Sequence, residues 1–90
     1  MRLEITARAR ADLARIYDFN IQRSVTWAER VESRLLHKAE MLTAAPLMGR
    51  ITEAPGVRRL SVPDIQYVMD YRVADDRLRI LQIYSTRELA

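Results

Sequence analysis

The sequence predicts an α+β fold: an N-terminal strand, then an antiparallel helical hairpin packed on one face of an antiparallel β-sheet. Three observations carry this. Apolar residues recur at helical spacing through two neighbouring stretches, over roughly 7–22 and from about Ser24 to Ala44. Three later segments are rich in β-branched and aromatic residues and are separated by short polar breaks. The resulting order, βααβββ, gathers the helices on one side of the sheet in a two-layer design.

The opening Arg2-Leu3-Glu4-Ile5-Thr6 alternates polar and apolar residues, which suits a short strand over 2–6. Thr6 then stands where a helix cap is needed. On a helical wheel Ala9, Leu13, Ile16, Tyr17 and Asn20 share one side, with Phe19 and Ile21 at its margins. Arg8, Arg15, Asp18 and Gln22 point away. Gln22-Arg23-Ser24 breaks the pattern. Thr26-x-x-Glu29 reads as a capping box, with Ser24 as the alternative cap. Ala28, Val31, Leu35, Ala39 and Leu42 make the apolar stripe of the second helix, and the short join between the two helices requires a hairpin. Trp27, at the helix entrance, can lid the open end of that hairpin. His37 lies opposite the stripe, where a solvated histidine is expected and catalysis is not.

Ala45-Pro46 ends the second helix, because proline cannot continue it. The segment 45–56 holds two prolines and two glycines and reads as an ordered loop, in which Gly49 is expected to supply a positive φ. Strands follow over 57–62, 66–73 and 77–84, joined by turns short enough for hairpins. In the second, Tyr67, Met69, Tyr71 and Val73 face away from Val68, Asp70 and Arg72. In the third, simple alternation sets Leu78 and Ile80 against Leu81 and Ile83. Apolar residues on both faces point to a central position in the sheet. Leu13, Ile16, Val31, Leu35, Leu42, Leu60, Ile80 and Ile83 are the expected core. No helix remains to cover the second sheet face, so function is sought there, where arginine and tyrosine lie near the strand ends.

Composition narrows the classes. A chain of 90 residues reads as one domain, 1–90. A domain this small buries only about 60–65% of its unfolded surface, so its core is thin. Without cysteine there is no disulfide framework or thiolate metal site, and His37 is the one histidine, so neither a metal site nor a cofactor is expected. The N-terminus lacks the apolar run of a signal peptide and no stretch is long enough to span a membrane, which suggests a cytoplasmic protein with no membrane partner. The formal charge is +3, with 27 of 90 residues charged, and the basic residues are fourteen arginines and Lys38. Arginine suits bidentate contacts to carboxylate or phosphate, although a GC-rich genome gives the same bias. The charge permits a nucleic-acid or an acidic protein partner without choosing between them.

Several segments together resemble the RelE/ParE toxin superfamily, closer to its ParE branch. Ala11-Asp12-Leu13-x-x-Ile16-Tyr17-x-Phe19 is similar to the family's first-helix signature. Ala28-x-x-Val31-x-x-x-Leu35 and Leu42-x-x-x-Pro46-x-x-Gly49-Arg50 resemble its second helix and P-x-x-G-R loop. Val57-Arg58-x-Leu60-x-Val62, Tyr71-Arg72-Val73 and Ile80-Leu81-x-Ile83 match its strands, and Arg87 its C-terminal arginine. The matches are collinear and cover about 80 of the 90 residues. The local readings beside this one are structural. Arg50 is expected to tie its loop to a helix C-terminus, and Asp12 to pair with Arg8 or Arg15. Arg58 shares strand parity with Leu60 and Val62, so it must find carbonyls or a carboxylate.

The resemblance implies the toxin of a type II toxin–antitoxin system, with two chemistries open to it. RelE-like members cut messenger RNA on the ribosome, and ParE-like members inhibit DNA gyrase by binding. Cleavage by a 2′-hydroxyl needs a base, an acid and cations. The strands here hold no lysine or histidine, Val68 stands at the position of the usual mid-sheet arginine, and Ser85 stands where many members carry histidine. Tyr84 and Arg87 lack an evident base, so gyrase binding is favoured over catalysis and no catalytic residue is assigned. Expected target-binding residues are Arg72, Arg79, Tyr84 and Arg87. Expected antitoxin contacts are Arg58, Arg59 and Arg79, against a cognate antitoxin whose C-terminal segment is disordered when free. Direct sequence-specific DNA binding by this chain alone is not expected. A non-toxic co-repressor partner of the antitoxin is the third reading.

Overall fold

Thr6 divides the first strand from the first helix. β1 (Arg2–Ile5) ends there, and α1 (Ala7–Asn20) begins as the Thr6 hydroxyl accepts the Ala9 N–H at 3.2 Å. The computed structural model describes residues 1–89, without the side chains of 88 and 89. Of the two candidate caps for α2 (Val25–Ala44), Ser24 is the one used, its Oγ accepting the Trp27 N–H at 3.0 Å. Thr26 lies inside the helix, so the capping box does not form. The hairpin is closed by Asn20, which donates to the Ile16 carbonyl at 2.8 Å and the Tyr67 hydroxyl at 3.0 Å. Its amide oxygen accepts the Trp27 indole N–H at 2.9 Å, which makes the indole the expected lid.

Beyond Pro46 come β2 (Arg50–Ile51), β3 (Val57–Val62), β4 (Tyr67–Ala74), β5 (Arg77–Ser85) and a closing 3-10 turn, Thr86–Leu89. The sheet order is β1-β5-β4-β3-β2, so β4 is central. β3, β4 and β5 form the expected antiparallel meander. β1, however, pairs with β5 in parallel, from Arg2 opposite Arg77 to Ile5 opposite Ile80, and the sheet is mixed. The hairpin carries the chain across to the far edge, and three reversals from β2 to β5 return it beside β1 in the same direction. The short β2 was not separable from its loop in the sequence, being only two residues long.

Gly49 does not have a positive φ; among the described glycines that conformation belongs to Gly56, at 76°. Gly49 is needed for close approach instead. A Cβ there would lie 2.6 Å from Tyr71 Cε1 and 3.0 Å from the Arg59 carbonyl. The Tyr71 hydroxyl accepts the Gly49 N–H at 2.9 Å and donates to the Pro46 carbonyl at 2.6 Å, pinning the loop to β4.

A β-bulge corrects the simple alternation in β5. Asp70 faces Gln82 while Tyr71 faces Ile80, leaving Leu81 as the extra residue. Ile80 and Ile83 therefore both enter the core, which also takes Ile16, Val31, Leu35, Leu42, Leu60 and Tyr71, with Leu13 half-buried against it. Past the reach of β1, side chains from the start of α1 bond the backbone of β5. Thr6 donates to the Ile80 carbonyl at 2.8 Å, and Asp12 accepts the Ile83 N–H at 2.9 Å. Asp12 also meets Arg15 at 3.5 Å, one of its two expected partners. No helix among the described residues is long and apolar enough to cross a membrane.

Candidate interaction site on the open sheet face

The face away from the helices is organised by cross-strand rows. Arg59 of β3, Asp70 of β4 and Gln82 of β5 lie opposite one another in one row. Asp70 is only 2% exposed although no helix covers it. Its burial is sustained by hydrogen bonding. Arg59 donates through Nε at 2.7 Å and Nη2 at 3.3 Å, Gln82 through Nε2 at 2.7 Å, and the Tyr84 hydroxyl at 3.2 Å. A buried carboxylate without such donors would cost several kcal/mol, on the order of 3–5 for breaking a buried pair.

This network sets the electrostatics. Hydrogen bonding to Asp70 holds the Arg59 guanidinium above its already high pKa. Burial first, and then the Asp70 charge, push the Tyr84 phenol above the ordinary tyrosine value, against the opposing pull of Arg59. The Arg59 guanidinium also lies 5.7 Å from the Tyr84 ring centroid, within cation–π range. A tyrosine in this state keeps its proton at neutral pH and cannot serve as a base.

The neighbouring row sets Arg72 opposite Arg79, with Glu4 beyond. Arg79 pairs with Glu4 at 3.3 Å, and Arg77 shares the same carboxylate at 3.5 Å. The Arg72 side chain is exposed and, among the described residues, makes neither a hydrogen bond nor an ion pair. Facing like charges are unfavourable across a sheet, so this row gains from an anionic partner.

Of the expected target-binding residues, Arg72, Arg79 and Tyr84 thus share one face. Arg87 does not join them. It lines a groove of about 1020 Å³ at the end of the hairpin, with Phe19, Arg23, Trp27 and Tyr67. The expected antitoxin-binding arginines are split as well. Arg59 and Arg79 are on the open face, whereas Arg58 turns toward the loop before β2 and donates to the Gly49 and Leu47 carbonyls at 2.8 and 3.4 Å. Arg58 thereby finds the carbonyls its strand parity demanded. Arg50 is exposed on β2 and does not reach a helix C-terminus. Sequence reading missed Asp70, Gln82 and Glu4 as members of the site. The first was within reach, since closing the hairpin at Val62 and Tyr67 places Arg59 opposite Asp70. Gln82 enters only through the bulge.

The family model described as the ParE toxin of type II toxin-antitoxin system, parDE, matches residues 3–90. The chain belongs to the ParE toxin family. A solved chain of the chromosomal ParDE toxin–antitoxin system of P. aeruginosa is similar to this ParE-family chain. It shows 30% identity and a TM-score of 0.86 over 94% of this chain and 95% of that one. The isolated RelE toxin of E. coli shares the fold, with a TM-score of 0.71 at 14% identity over 93% of this chain and 82% of the other. Among curated proteins, none matches the sequence significantly.

Proposed function

We propose that this ParE-family toxin acts by binding and not by bond cleavage, with DNA gyrase as its target. One observation carries the choice of binding: Arg59 and Tyr84, the groups nearest to a catalytic pair, are both committed to the buried Asp70 carboxylate. No lysine or histidine lies on β3, β4 or β5 to supply a base. Arg72, an exposed cation whose side chain has no partner among the described residues, lies beside Arg79, a surface suited to carboxylates of a protein partner. Gyrase as that partner is supported by family membership.

The purified protein is expected to inhibit supercoiling by gyrase or to trap cleaved DNA, with messenger RNA left intact. Arg72→Ala with Arg79→Ala should remove the effect while the fold melts as before. Codon-positioned cuts in messenger RNA, with supercoiling untouched, would overturn the reading in favour of a RelE-like nuclease.

We also propose that a cognate antitoxin neutralises the toxin, through a C-terminal segment that is disordered when free. The edge strand β2 supports this, since Leu47, Met48 and Ile51 are exposed around it by 71, 44 and 75%. An extended segment could add to that edge, with acidic residues meeting exposed arginines of the open face. Calorimetric titration with the product of the adjacent gene, before and after trimming its C-terminal segment, tests the pairing. Undiminished affinity after trimming would reject the segment as the neutralising part.

A further inference from the structure

At the centre of the open face a guanidinium, a side-chain amide and a phenol converge on one point. These are the donor types that hold a phosphate oxygen, but Asp70 already occupies that point. We propose that Asp70 is a specificity-determining residue, which fills the anion position of this face and so excludes phosphodiesters from it.

The geometry leaves little room for a second anion. Asp70 receives four donor contacts, from Arg59 Nε on Oδ1 and from Arg59 Nη2, Gln82 Nε2 and the Tyr84 hydroxyl on Oδ2, so all three donor side chains are already engaged by one carboxylate. A phosphate oxygen could be bonded here only by taking donors from Asp70, leaving a buried charge without partners. Long-range charge acts in the same direction. Arg59 and Asp70 cancel, and Glu53 adds negative potential at both Arg59 and Tyr84. The uncancelled positive charge of the face therefore lies with exposed Arg50, opposite Arg59 at the sheet edge, and with the Arg72–Arg79 row. The inference rests on this arrangement and does not depend on which protein the toxin binds.

The test uses a fluorescein-labelled single-stranded RNA oligonucleotide, titrated at several salt concentrations with three proteins. These are the wild type, Asp70→Asn, and the double variant Arg59→Gln/Asp70→Asn. Asp70→Asn should bind roughly tenfold or more tightly than wild type, as a freed guanidinium makes a charge-assisted bond. Its salt slope should steepen by about 0.7, one additional phosphate on a single strand. The double variant, neutral at this position like the wild type, should bind as the wild type does. Absorbance titration should also show the Tyr84 pKa falling toward the usual tyrosine value in Asp70→Asn, which establishes that the network has opened. A folded Asp70→Asn protein with wild-type RNA affinity would overturn the proposal. So would a double variant whose salt slope is shallower than wild type by about 0.7, because Arg59 would then already hold phosphate. If Asp70→Asn does not fold, the double variant decides alone, since a neutral replacement of a buried ion pair is commonly tolerated.

Discussion

Tyr71 and Gly49 illustrate how much rests on single side chains. The Tyr71 hydroxyl joins the Gly49 N–H and the Pro46 carbonyl in a site that admits no Cβ at Gly49. Gly49→Ala should therefore destabilise the fold by about 1–3 kcal/mol through overpacking. Tyr71→Phe should cost about 1–3 kcal/mol by leaving the buried Gly49 N–H without an acceptor. Denaturant unfolding of both variants checks this, and equal stability to wild type in either would contradict the account. Tyr84 adds a dependence on pH. Its folded pKa is raised, so the folded state holds its proton more firmly than the unfolded chain does. The stability this contributes is complete below about pH 10, the unfolded value, and is lost as pH rises from there through the folded value. Denaturation midpoints followed above pH 9.5 should fall less steeply in Tyr84→Phe than in wild type. At this scale the sequence was partly legible. Arginine and tyrosine on the open face could be read from strand parity, but their capture by Asp70 depends on register.

At the scale of elements, the bulge in β5 and the N-terminal half of α1 work together. Leu81 is extruded from the ladder, and Asp12 and Thr6 take up backbone groups beside it. Asp12→Ala should cost about 1–3 kcal/mol, because the Ile83 N–H is buried with it. Faster hydrogen exchange at the Ile83 amide, with little change at Leu60 on β3, is the expected signature, and Asp12→Asn should retain part of the protection. Both helices, the Thr6 cap and the three long strands were visible in the sequence because each has a strong local signal: apolar period, cap residue or β-branched run. The bulge had none, since an inserted residue leaves composition unchanged and alters only the partners. β2 escaped for a related reason, as two residues cannot establish a period. The parallel pairing of β1 depends on where the whole hairpin delivers the chain.

For the whole molecule, the core is one cluster between the hairpin and one sheet face, and Leu35 sits within it at 1% exposure. Leu35→Ala should destabilise by about 2–5 kcal/mol, a large share of what a small domain possesses. Thermal unfolding should move accordingly, and a loss below about 1 kcal/mol would show that the layers are less tightly joined than their burial implies. Exposed open-face residues outside the Asp70 network belong to the opposite class. Arg72→Ala removes an exposed side chain that has no partner among the described residues, so it should leave melting nearly unchanged.

The parallel pair of β1 and β5 has a consequence in time. Arg2 meets Arg77, so its partner is made only after 75 further residues. At about 5–20 residues per second, translation delivers β1 and the hairpin seconds before the strand that both must pack against. Until β5 arrives, Asp12 has no backbone to hold, Asp70 lacks Gln82 and Tyr84, and the open face does not exist. The face proposed to meet the target is therefore completed only once the residues of β5 have been made.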